Sequence, residues 1–81
     1  MPALEIFLIA MRLQSQLDQA MATAKPVPWD VVITHCSSDY GVDSQTLPPL
    51  GSPQNLAVGG IVRKYGIRKT IEFTYCILDR I

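Results

Sequence analysis

Lys69-Thr70-Ile71-Glu72-Phe73-Thr74-Tyr75-Cys76-Ile77-Leu78 is the stretch on which the fold turns. β-branched and aromatic residues dominate it, and such side chains lose rotamer freedom in a helix but pack well on a pleated surface. Read with a period of two, Ile71, Phe73, Tyr75 and Ile77 share an apolar face, with Glu72, Thr74, Cys76 and Leu78 behind. The expectation is a strand over 69–79.

Immediately upstream, Ile61-Val62-Arg63-Lys64-Tyr65-Gly66-Ile67 reads as a second strand over 61–67. Gly66 then serves as the bend of a hairpin or as a bulge. Before it, residues 37–55 are rich in Ser, Asp, Pro, Gly and Gln, a loop long enough to be functional or mobile. Within that region Ser52-Pro53 is placed to cap a short helix running to Val58, with Gly59 ending it. Farther upstream, Trp29-Asp-Val-Val-Ile-Thr-His-Cys36 is another β-branched run, predicted as a strand over 29–36 that closes at a Ser-Ser-Asp-Tyr-Gly turn.

The N-terminal third has a different period. Ile6, Ile9, Ala10, Leu13, Leu17, Ala20 and Met21 recur at three- and four-residue steps, and no Gly or Pro interrupts residues 3–25. This predicts one long helix, stopped by Pro26 and Pro28. Its first half carries a second apolar stripe, Leu4, Phe7, Leu8 and Met11, which so small a domain can hardly cover itself. These four residues are the expected oligomer interface. The fold class expected is α+β: a long N-terminal helix packed on an antiparallel sheet of about three strands, in a single domain spanning 1–81.

Composition bounds the function. The chain has 81 residues, 48% apolar and 17% charged, with seven basic and seven acidic groups cancelling. That excludes disorder and gives no global attraction to nucleic acid or anionic membrane. No apolar run is long enough to cross a bilayer, and Ala3–Met11, interrupted by Glu5, makes a poor signal peptide. Two cysteines build no multi-bridge scaffold, so the expectation is a cytoplasmic protein with reduced thiols.

No constellation points to catalysis. His35 is the only histidine, and strand alternation sends it and Cys36 to opposite faces, which spoils both a metal site and a Cys–His nucleophile pair. Asp39 and Asp43 read as solvated turn residues. Phosphate-loop, dinucleotide and nucleophile-elbow signatures are absent. The segment Trp29 to Gly41, with His35-Cys36-Ser37, resembles a strand of the zinc amidases that cleave peptidoglycan. Phe73-Thr74-Tyr75 stands where that family has its second histidine, so the resemblance carries no metal chemistry and no cofactor is expected.

Charge is uneven: residues 1–57 sum to −3 and residues 58–81 to +3. Arg63, Lys64, Arg68 and Lys69 cluster around Tyr65 and Gly66. Together with Asp39, Tyr40 and Asp43 of the acidic loop they are the expected partner-binding residues, the loop of one subunit approaching the basic segment of the next. The function expected is a non-enzymatic binding module, a homo-oligomeric inhibitor or adaptor of the phage or mobile-element type, with a protein as its main partner and no membrane association.

Two other classes stay open. Leu56 to Arg80 resembles a helix-turn-helix in its spacing, with Ile61 to Tyr65 ending a first helix, Gly66 in the turn and Arg68, Lys69 and Thr70 as recognition residues. That resemblance implies a nucleic-acid-binding regulator, or contact with a phosphate-bearing ligand, and requires helix over 67–80. A structural subunit of a larger assembly is the other.

Overall fold

The computed structural model describes residues 3–23, 26–43 and 56–81. Among them are four helices and no strand: α1 Ala3–Thr23, α2 Trp29–Tyr40, α3 Val58–Tyr65 and α4 Ile67–Leu78. The α+β expectation is therefore overturned, and each predicted strand, 29–36, 61–67 and 69–79, lies mainly within a helix. The short helix proposed to start at Ser52-Pro53, and residues 44–55 of the long loop, lie outside the described residues.

Burial periodicity explains the correction. In α4 the buried residues are Thr70, Phe73, Thr74, Cys76 and Ile77, steps of three and four that belong to a helix. Tyr75, expected beside Phe73 on a strand face, is instead exposed. In α2, Val32, Ile33, Cys36 and Ser37 are buried, again at one-turn spacing. Ordinary helix propensities differ by at most about 0.7 kcal/mol per residue. Burying one large apolar side chain contributes about 1.5–3 kcal/mol, so packing outweighs the β-branched bias.

Two glycines set the chain path. Gly41 ends α2 in the left-handed region (φ 66°, ψ 30°) and donates its N–H to the Ser37 carbonyl. Val42 N–H reaches the same carbonyl at 2.9 Å, and the Val42 side chain is buried. A left-handed glycine followed by a buried apolar residue is a common way for a helix to end. Gly66 (φ 85°, ψ 166°) separates α3 from α4 by one residue. Its conformation is open to glycine almost alone. No hairpin forms there: the chain leaves one helix and enters the next.

α4 is the central element, packing against α1, α2 and α3, while α1 also packs on α3. Leu13 and Leu17 of α1 meet Val32, Ile61, Phe73 and Ile77 in one core. Cys36 of α2 and Cys76 of α4 form a disulfide inside it, with Cα atoms 5.8 Å apart. The expectation of reduced thiols is thus also corrected. Strand alternation is irrelevant in two helices, where Cys36 and Cys76 both sit on the packed faces.

Candidate interaction surfaces

α1 uses its two faces differently. The stripe led by Leu13 and Leu17 turns to the core, flanked by half-buried Ile6, Ile9, Ala10, Ala20 and Met21. On the opposite side Leu4 (68% exposed), Phe7 (59%), Leu8 (45%) and Met11 (53%) lie in solvent. Their spacing of three, four and seven residues makes one contiguous patch. Beyond Met11 the same face turns polar, as a shallow groove lined by Gln14, Ser15, Asp18, Gln19 and Ala22. The four expected interface residues therefore come together as an apolar area confined to the first half of the helix.

The basic residues meet at the α3–α4 corner, on both sides of Gly66. The ammonium groups of Lys64 and Lys69 each stand 5.6 Å from the centre of the Tyr65 ring. The Tyr65 hydroxyl accepts the Asp43 N–H at 2.8 Å. Lys69 Nζ also approaches Gly41, at the carbonyl end of α2, where the helix dipole favours a cation. The acidic loop and the basic segment therefore touch within one chain. Of the five corner residues, Tyr65 and Lys69 are partly buried in that junction, while Arg63, Lys64 and Arg68 are exposed. Arg68, with its side chain 93% exposed, pairs with Glu72 at 3.5 Å along α4.

Asp39 is not part of this corner. It lies one turn after His35 and its carboxylate is 3.0 Å from His35 Nε2, on the exposed surface of α2. The Arg80 guanidinium also contacts His35 Nε2 and donates to the Cys76 carbonyl at 3.4 Å. His35, Asp39 and Arg80 thus form a polar clasp linking α2 to the turn that follows α4. Tyr40 is half-buried against the core. With both sulfurs bonded to each other, neither cysteine is a nucleophile or a ligand.

Sequence reasoning passed over Gln14. Its amide oxygen accepts the Val58 N–H at 2.9 Å, and its amide nitrogen donates to the Leu56 carbonyl at 3.1 Å and to Asp18 Oδ1 at 3.1 Å. α3 is preceded by Ala57 at its N-cap, which supplies no side-chain cap. Gln14 caps it from α1 instead, a partner 44 residues away that no local pattern signals. No family model, curated protein or solved structure matches the chain.

Proposed function

We propose that the chain is a small non-enzymatic binding module, an adaptor or inhibitor that acts by covering a partner's surface. The observation that carries this reading is the exposed stripe of Leu4, Phe7, Leu8 and Met11. Contiguous apolar patches on soluble domains mark contact sites, whereas single exposed apolar residues carry no such meaning. The non-enzymatic part is supported by cysteines closed in a disulfide and by a histidine held at the surface between Asp39 and Arg80. The exposed Arg63, Lys64 and Arg68 add a cationic area suited to an acidic rim on the partner.

No helix among the described residues is long and apolar enough to cross a membrane. The Cys36–Cys76 bond favours an oxidising compartment over the cytoplasm expected from two cysteines alone, because disulfides are rare in reducing compartments. The reading is tested by capture from lysate with the wild-type chain and with the Phe7→Asp/Leu8→Asp variant. A captured protein lost in the variant, at unchanged far-UV circular dichroism, is the result expected. Identical capture by both removes the stripe from the function.

One observation favours the nucleic-acid reading: residues 67–78 are helical and follow α3 directly across Gly66. Against it, α4 and its C-cap present Arg68, Glu72, Tyr75 and Asp79 to solvent. Two carboxylates on that stripe oppose phosphate, and α4 is the helix most enclosed by the others. Fluorescence anisotropy with duplex DNA from low to physiological salt decides the matter. Salt-sensitive binding lost on Arg68→Glu would establish it; flat anisotropy at low salt rejects it.

A further inference from the structure

The occupant of the α1 stripe follows from the charges around it. We propose that it is a second copy of this chain, bound antiparallel across a two-fold axis that passes between Phe7 and Leu8. The proposal rests on the reading of the stripe as a contact surface and names what covers it while no other partner is bound.

The register comes from the stripe itself. An axis between Phe7 and Leu8 sets Leu4 against Met11 of the partner subunit, and Phe7 against Leu8 of the partner subunit. Every exposed apolar residue of the stripe then meets another across the interface. Such self-complementarity is what a two-fold interface requires.

The direction comes from three charged residues of α1. Glu5 follows Leu4 by one position and Arg12 follows Met11 by one, so both lie on the same flank, about 100° round the helix from the stripe's ends. A two-fold axis perpendicular to the helices keeps that flank on the same side in both copies. Glu5 then faces Arg12 of the partner subunit with an axial offset of two residues, about 3 Å. Side chains lean toward the N-terminus of their own helix, so in an antiparallel pair these two converge. The pairing occurs twice. A parallel arrangement puts the two flanks on opposite sides, and no Glu5–Arg12 pair forms.

Asp18 gives the same answer independently. It lies seven residues after Met11, on the face of the stripe, and lines the polar groove there. Parallel helices would press Asp18 against Asp18 of the partner subunit. Antiparallel helices centred at Phe7 and Leu8 leave both Asp18 side chains beyond the contact, in water. The polar second half of this face and the apolar first half are thus both accounted for by one geometry. With four large side chains per copy, the interface belongs to the small size class, that of weak and transient contacts.

The test is sedimentation equilibrium of the full oxidised chain from about 1 to 200 μM. Wild type is expected to pass from monomer to dimer, and Phe7→Asp/Leu8→Asp to stay monomeric with an unchanged far-UV spectrum. Glu5→Arg and Arg12→Glu singly are each expected to weaken the dimer about fivefold or more, since two rim attractions become repulsions. The double swap Glu5→Arg/Arg12→Glu is expected to restore it, because the pairing is the same with signs exchanged. A wild-type monomer at 200 μM overturns the proposal, as does a dimer indifferent to Phe7→Asp/Leu8→Asp. A dimer lost in that variant but indifferent to both single charge changes overturns the antiparallel register. If wild type is monomeric while the stripe variant still loses its captured partner, the second-copy inference fails and the binding-module reading stands. If capture is also unchanged, both fail.

Discussion

Gln14 and the glycines show how unevenly single residues hold this fold. The Gln14 amide is a tertiary cap, accepting from Val58 and donating to Leu56. Its loss leaves two backbone groups at the start of α3 without that partner. Gln14→Ala should destabilise the domain by about 1–2 kcal/mol, measured by urea unfolding. Gly66 is held at φ 85° with open space where a Cβ would stand, so a substitution there is opposed by the backbone alone. Gly66→Ala should cost about 1–3 kcal/mol. Gly59 and Gly60 sit in the first turn of α3 with nothing within 4 Å of an added Cβ. Alanine at either should stabilise by up to about 1 kcal/mol. The Gly59-Gly60 pair weighs against a helix when the sequence is read alone, and the structure shows that the weight was insufficient. Leu56, Val58 and Ile61 bury enough apolar surface there to outweigh two unfavourable propensities.

At the scale of elements, α1 was legible, α3 and α4 were offered only by the helix-turn-helix alternative, and α2 was read as a strand. α1 combines good helix formers with a clean three-four period, and both signals agree over Ala3–Thr23. In α2 and α4 the signals conflict: β-branched composition favours a strand, while the helical period is carried partly by small or polar residues. Thr70, Thr74 and Ser37 are buried, yet none reads as core in a hydrophobicity pattern. Thr70 satisfies its hydroxyl by donating to the Gly66 carbonyl at 2.7 Å, one turn back, which lets a polar residue enter a helix interface. The Tyr40-Gly41-Val42 sequence was the available signal for the end of α2, a glycine C-cap followed by an apolar residue. The two readings of α4 separate on one pair of variants. A strand puts Phe73 and Tyr75 on the same buried face, whereas the helix buries Phe73 completely and leaves Tyr75 44% exposed. Phe73→Ala should cost about 3–5 kcal/mol and Tyr75→Ala less than about 1 kcal/mol, by the same urea titration.

At the scale of the molecule, the disulfide supplies what a chain of 81 residues lacks. So small a domain encloses a limited core, and cross-links commonly make up the difference. Cys36 and Cys76 are 40 residues apart in sequence. Closing that loop contributes about 4 kcal/mol in the chain-entropy account, a large share of a typical total of about 5–15 kcal/mol. Cys36→Ala/Cys76→Ala, or reduction of the wild type, should therefore lower the urea midpoint steeply. Intact mass after alkylation without reductant should show no modified cysteine in the native form. The sequence by itself determined the long amphipathic α1, its second apolar stripe and the cationic cluster around Gly66. Each of these is written in local spacing or in residue type. Only the tertiary structure decided that the remaining segments are helices, that the two cysteines meet, that Gln14 caps α3 and that the stripe stays in solvent. Those outcomes depend on which distant surfaces are buried together, and burial outweighs the few tenths of a kcal/mol per residue by which local propensity separates helix from strand.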